Sequence, residues 1–280
     1  PTQFYPGSVL GIINDLIAAI KSNDLPNISK LLAQLGKTPF FKKEKPTPYD
    51  EAVSLIWYLE NVFYDAISSI YDYLQTNIYE GAAIENNLIN LGFWPGGDRD
   101  GNPFVTTEIT LNVAQRLKQT ILKKYYQDMR LLKRKLTFAG VEDLVSELEE
   151  MLFQNSFAQT DQDTMLSLHE FKSKLNRLRS IITEEYESLY LDDLDDFINK
   201  VNIFGYHFAT LDIRQDSRVH HGVFEKIVTK VQETNPSIFP KNYFDLSEAQ
   251  KIQILSKVEG DLNPDLFEDE MVHKTLGSIR

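Results

Sequence analysis

The sequence predicts a mainly α fold: long helices with two or so short strands. Three observations carry that expectation. Apolar residues recur at spacings of three and four through most of the chain, glycine and proline gather in a few loops, and only two short stretches depart from the helical rule. The 280 residues are 42% hydrophobic and 25% charged, the balance of a globular protein with chain enough to bury a core. Lys+Arg 29 against Asp+Glu 41 gives a net charge of −12. That surface argues against nucleic-acid or anionic-membrane partners, whose phosphates call for basic groups. There is no cysteine, which excludes disulfides, thiol nucleophiles and Cys-based zinc sites. No apolar run approaches the roughly 20 residues of a membrane span. Pro1-Thr2-Gln3-Phe4 has neither a basic n-region nor an apolar h-region. A soluble, cytoplasmic chain cut from something longer is therefore expected.

From Ser8, Val9, Leu10, Ile12, Ile13, Leu16, Ile17 and Ile20 fall at helical spacing. A second helix opens near Asp24 with Pro26 in its first turn and closes at Gly36. Thr38 to Pro48 reads as a linker with three prolines and the basic residues Lys42, Lys43 and Lys45. Thr47-Pro48-Tyr49-Asp50 forms a capping box, with Thr47 as N-cap, Pro48 at N1 and Asp50 at N3. The helix it opens meets no breaker before about Tyr79, and its aromatic residues, among them Trp57, Tyr64 and Tyr71, are read as packing. After a glycine- and proline-rich loop at 92–103, a long helix is expected over about 106–139, stopped by Gly140. Further helices are expected over about 141–153, 163–200, 217–233 and 246–258. Asp192-Asp193-Leu194-Asp195-Asp196 reads as a solvated helix start, because adjacent acids on a helix point to different sides.

Leu88 to Trp94 is an apolar run entering the glycine loop, and Tyr206 to Arg214 alternates with period two. In the second stretch His207, Ala209, Leu211 and Ile213 take one face. Tyr206, Phe208, Thr210, Asp212 and Arg214 take the other, so Asp212 and Arg214 project together at the C-terminal end. Strand ends of that kind hold ligands in open and closed α/β sheets.

The familiar phosphate-loop, dinucleotide, nucleophile-elbow and zinc-protease motifs are absent, and His169, His207, His220, His221 and His273 lack metal-ligand spacing. What stands out is Trp94-Pro95-Gly96-Gly97-Asp98-Arg99-Asp100-Gly101-Asn102-Pro103. Its glycines allow a tight turn and close approach to a ligand or another strand. A calcium loop does not fit, since the glycine is misplaced and no closing Glu follows. Two readings of the pattern remain open: an Asp-x-Asp metal-nucleotide site, or a loop whose charges pair with one another.

Three stretches, in order, resemble the phosphoenolpyruvate carboxylase family. Phe93 to Pro103 resembles its F-x-W-x-G-G-D-R-D-G-N-P signature. Phe204-Gly205 with Leu211-Asp212-Ile213-Arg214-Gln215-Asp216-Ser217 resembles its F-G…L-D-I-R-Q-E-S segment, and Lys45 to Ala52 resembles its [KR]-P-T-P-x-D-E-A helix start. Pro1-Thr2 matches the end of the T-A-H-P-T motif, which places the catalytic histidine just before this chain. Departures are few: Pro95 stands where Met is usual, Asp216 replaces Glu, and Lys42, Lys43 and Lys45 stand where arginines are frequent. Lysine lacks the bidentate fork, so no anion site is expected on the linker.

The resemblance implies a segment, 1–280, of a helix-elaborated (β/α)8-type barrel. The intact lyase would carboxylate phosphoenolpyruvate with bicarbonate to oxaloacetate and phosphate in the cytoplasm, as a homotetramer without nucleic-acid or membrane partners. It implies Mg²⁺ or Mn²⁺ with ligands beyond Arg280, and a segment inactive by itself. Arg214 would bind the substrate phosphate, and Trp94 would wall the bicarbonate pocket. Gly96, Gly97, Asp98, Arg99, Asp100 and Asn102 would shape the loop beneath it, with Asp212 orienting Arg214. The competing class is a helical binding or scaffold module that kept the fold and lost catalysis.

Overall fold

The computed structural model describes residues 5–40, 46–80, 88–100, 102–157, 167–260 and 262–279. The basic linker residues Lys42, Lys43 and Lys45, together with Pro1-Thr2 and Gly101, lie outside them. The architecture is mainly α-helical with two short parallel strands, as expected. The 1–280 segment divides into two compact units, one of Pro1–Pro95 with Val113–Thr210 and one of Gly96–Asn112 with Leu211–Arg280. No described helix is long and apolar enough to cross a membrane.

In the first unit, α1 (Gly7–Lys21) and α2 (Leu25–Lys37) form a hairpin whose small core is Ile12, Ala19 and Leu31. Asp24 caps α2 by accepting from the Asn27 N–H, and Pro26 sits in its first turn. The Thr47 capping box opens α3 (Pro48–Tyr58): Thr47 Oγ1 accepts from the Asp50 N–H at 3.1 Å, and Asp50 accepts from the Thr47 N–H at 3.0 Å.

The expected helix of about 48–79 is continuous but not uniform. A π-helical turn, Leu59–Phe63, separates α3 from α4 (Tyr64–Asn77). The core explains the extra residue. Ala52, Ile56 and Leu59 are buried at α-helical spacing, which would next bring Phe63 inward. The wide turn advances the register by one, so Tyr64, Ile67 and Tyr71 are buried and Phe63 stays 44% exposed.

α5 (Thr107–Lys133) ends six residues before the expected Ala139, and Gly140, at φ 76°, turns the chain into α6 (Glu142–Phe157) instead. The single helix expected over 163–200 is two, α7 (Leu168–Glu185) and α8 (Leu191–Phe204). Between them Glu187, Ser188 and Tyr190 all adopt positive φ. Tyr186 anchors that break, stacking on Phe138 at 4.8 Å and donating from its hydroxyl to the Ala139 carbonyl at 2.6 Å. The acidic run does open a helix, yet it is tied down. Asp193 pairs with Lys135, Asp195 with Arg179, and Asp196 with Lys200.

The core of this unit is built of rings. Tyr64 stacks on Phe204 at 5.4 Å, and Tyr125 meets Phe197 edge-on at 5.6 Å. Beside them lies the nearly buried Lys200, whose ammonium is 3.1 Å from Asp128 and 2.9 Å from Asp196. The Tyr64 hydroxyl donates to Asp128 and the Ser68 hydroxyl to Asp196, so α4, α5 and α8 share one polar network.

The strand expected over 206–214 shrinks to β2 (Thr210–Leu211), paired with β1 (Gly92–Phe93) through a Thr210 N–H to Leu91 carbonyl bond of 2.8 Å. The period-two alternation fails before it. Gly205 and Phe208 take positive φ, and Phe208 and its neighbour Ala209 are both buried. The turn seats Phe208 against Phe204 and Tyr64, a packing gain that a straight strand would forfeit.

The second unit contains α9 (Ser217–Thr234), α10 (Glu248–Leu255) and α11 (Glu270–Ile279). The sequence pattern did not flag α11. Its signal was Asp269, whose side chain accepts from the Met271 and Val272 N–H groups, followed by the buried Val272.

Burial draws the Lys200 pKa down, but Asp196 and Asp128 outweigh it and the net shift is upward. Lys200→Met should therefore lower unfolding stability by about 3 kcal/mol at neutral pH, because it strands two carboxylates. Lys200 stabilises the fold fully below the unfolded lysine pKa of about 10.4, and that contribution is lost as pH rises through the raised folded value. Urea midpoints of the two proteins should therefore converge above about pH 10.5. A constant gap would refute the network's role.

Candidate functional site

The glycine loop turns at Gly96, where φ is 84° and the carbonyl accepts a 2.7 Å hydrogen bond from Thr110 Oγ1 on α5. Gly97 then lies directly on the chain leaving β2. A Cβ at Gly97 would overlap the Asp212 carbonyl oxygen and lie 3.0 Å from its carbonyl carbon, so only glycine fits. This contact aligns a short parallel ladder. Asp98 bridges Arg214: the Arg214 N–H donates to the Gly97 carbonyl at 2.8 Å, and the Arg99 N–H donates to the Arg214 carbonyl at 3.0 Å. Asn102 closes the loop by accepting from the Phe104 N–H at 3.0 Å.

The side chains divide the charges unexpectedly. Arg99 pairs with neither flanking acid among the described contacts. Its Nη1 donates to Ser278 Oγ at 2.6 Å and to the Lys274 carbonyl at 3.3 Å on α11, and burial draws its pKa below the usual arginine value. Asp98 and Asp100 are hydrogen-bonded to each other. That bond, partial burial and the charge of Asp100 raise the Asp98 pKa, against the opposing pull of Arg214. Asp216 caps α9 and binds Arg218 by its side chain and main chain, which holds its pKa down to about 2.

Arg214 is thus fixed by its main chain and open at its side chain. It is exposed, and among the described residues no ion pair or side-chain hydrogen bond engages its guanidinium. Asp212 touches the loop through its carbonyl, and no ion pair joins its carboxylate to Arg214 among the described residues. The structure therefore brings together Gly96, Gly97, Asp98, Arg99, Asp100, Asn102, Asp212 and Arg214 in the second unit. Trp94 belongs to the first unit and is 51% exposed. Residues not singled out by sequence are Thr110, Lys274 and Ser278. The threonine hydroxyl and the helix carbonyl carry no sequence signature.

Among the described residues no group of three or more His, Asp or Glu side chains is arranged to hold a metal ion. Asp98 and Asp100 interact with each other, and no third ligand of that kind stands with them among the described residues.

The fold and site define a mainly helical segment that lays a glycine-rich loop against a strand-end arginine. The chain belongs to the phosphoenolpyruvate carboxylase family, whose profile matches residues 18–163 and 148–271. It is similar to the phosphoenolpyruvate carboxylase of Shewanella loihica, with 29% identity over 239 residues covering 74% of this chain and 27% of that protein. The Aeromonas salmonicida enzyme of the same name is 26% identical over 244 residues, covering 77% and 28%. That of Nitrosomonas eutropha is 24% identical over 299 residues, covering 91% and 30%. The chain spans about 27–30% of the length of these curated relatives.

Gly97→Ala should cost about 3 kcal/mol and speed amide exchange at Arg99 and Arg214, because a backbone clash cannot relax by rotamer change. Gly92→Ala, with open space around the glycine, should stay within about 0.5 kcal/mol. Equal stability for the two variants would show that the loop does not depend on the close approach.

Proposed function

We propose that this chain is the part of a phosphoenolpyruvate carboxylase that supplies the phosphoryl-binding arginine. The whole protein would carboxylate phosphoenolpyruvate with bicarbonate to give oxaloacetate and phosphate. A bicarbonate oxygen attacks phosphorus, the bond from phosphorus to the enol oxygen breaks, and its electron pair stays on the enolate oxygen. The resulting carboxyphosphate loses a proton and carbon dioxide to leave phosphate, and the enolate carbon captures the carbon dioxide. Family membership suggests a divalent metal, Mg²⁺ or Mn²⁺, whose ligands would come from elsewhere in the protein, and no role below depends on it. A cytoplasmic homotetramer built on a (β/α)8-type barrel completes the proposal.

The observation that carries this reading is Arg214, with its main chain clamped between Gly97 and Arg99 and its guanidinium unpaired among the described residues. A planar fork of donors suits phosphoryl oxygens, and pre-setting its backbone removes ordering cost when substrate binds. The neighbouring acids support the same reading. Asp216 is paired with Arg218, so part of the local negative charge that would repel an anion is offset. Trp94 would contribute an exposed ring to the bicarbonate pocket, and Asp212 would sit behind Arg214.

In the complete protein, Arg214→Lys should lower kcat/KM for phosphoenolpyruvate about 10- to 100-fold, since it keeps charge and loses the fork. Arg214→Ala should lower it further, with little change in melting temperature for either variant. Unchanged kinetics beside a lowered melting temperature would remove Arg214 from the site. The purified 280-residue chain alone should form no oxaloacetate from phosphoenolpyruvate and bicarbonate. Turnover by it would overturn this division of roles.

A further inference from the structure

We propose that Arg99 is a positioning residue for Arg214, and that α11 is the element against which it is set. The inference rests on the reading of Arg214 as the phosphoryl-binding group. Arg99 faces two ways. Its main-chain N–H donates to the Arg214 carbonyl at 3.0 Å, while its guanidinium grips α11 at Ser278 Oγ, 2.6 Å, and the Lys274 carbonyl, 3.3 Å. An ordinary loop arginine in D-R-D context would fold onto its neighbours. This one bypasses both acids and reaches α11 instead.

The receiving surface is prepared for it. The Ser278 hydroxyl donates its own proton to the Thr275 carbonyl at 2.8 Å, so the oxygen lone pairs are left for Arg99. Lys274 lies one helical turn before Ser278 on α11, which puts its carbonyl and the Ser278 hydroxyl on the same side of the helix. The same Lys274 carbonyl accepts from Thr107 Oγ1 at 2.8 Å, and a Cβ at Gly277 would sit only 3.4 Å from Thr107 Cγ2. α11 is meanwhile anchored without Arg99, because its Val272 is fully buried with Val223, Ile227 and Phe267. A helix seated in its own core thus sets the depth of the arginine, and the arginine's backbone sets the height of Arg214.

The test is a double-mutant cycle in the complete protein, measuring kcat/KM for phosphoenolpyruvate and melting temperature. Arg99→Gln should lower kcat/KM about 10-fold, Ser278→Ala about 3-fold, and Arg99→Lys should recover part of the loss. In the Arg214→Lys background Arg99→Gln should cost less than about 2-fold further, since its effect passes through Arg214. A merely structural Arg99 would lower melting temperature and leave that coupling absent. An undiminished loss in the Arg214→Lys background, or unchanged kinetics in Arg99→Gln and Ser278→Ala, overturns the inference while the Arg214 reading stands. If Arg214→Lys itself leaves kinetics unchanged, the phosphoryl reading falls and this inference with it.

Discussion

Everything in the candidate site depends on how closely two pieces of main chain approach, Gly97 on one side and Asp212 on the other. A hydrogen atom is all that fits between them. Because the approach is that close, the loop and the segment after β2 pair as short parallel stretches, and the N–H groups of Arg214 and Arg99 find carbonyls without any side chain intervening. Gly96 makes the approach possible by turning at positive φ, and Thr110 holds its carbonyl from the first turn of α5. The signature glycines are therefore needed for geometry, and the polar residues around them act on what that geometry fixes.

The charges follow a second constraint, set by the chain as a whole. On the proposed reading, a protein of net charge −12 that holds an anion at Arg214 must clear its own carboxylates from the place where the anion sits. Near Arg214 this happens by two different chemistries. Asp216 is spent on capping α9 and binding Arg218, and Asp98 is set against Asp100, which raises its pKa. Neither device uses Arg214, which is the condition for its guanidinium to stay available. The reading of the loop as self-paired was thus half right in kind: the acids pair with each other, while the arginine between them goes to α11.

Much of the first unit was legible because local chemistry agrees with global packing there. The Thr47-Pro48-Tyr49-Asp50 box predicts its helix start to the residue, since both reciprocal bonds are made within four residues. The π turn at Leu59–Phe63 was hidden, because nothing local distinguishes a register advance from a straight helix; only the core's demand for Tyr64 over Phe63 reveals it. The break at 186–190 was hidden for a related reason. Its positive-φ residues are Glu, Ser and Tyr rather than glycine, so the turn is imposed by the Tyr186 stack and is not written in composition. The alternation over 206–214 misled in the opposite direction, its aromatic residues serving a packed turn before β2. In the site, Gly97 and Arg214 were visible as motif residues. Their supports, Thr110, Ser278 and a carbonyl of Lys274, are ordinary groups whose role exists only in three dimensions.

The two units hold themselves by different means, and the difference bears on where chemistry can reside. The first is organised by stacked rings and a buried lysine with two carboxylates, interactions that fix side chains. The second has smaller apolar clusters, around Val272 and around Tyr243, and its glycine loop is held by backbone ladder bonds and by polar contacts to helix carbonyls. A side chain that fixes the fold is not free to bind a ligand. By placing the constraint on main-chain atoms, the second unit gives Arg214 a defined position and leaves its guanidinium without a structural duty. Position and recognition then reside on different atoms of one residue, which lets the site be both preorganised and open.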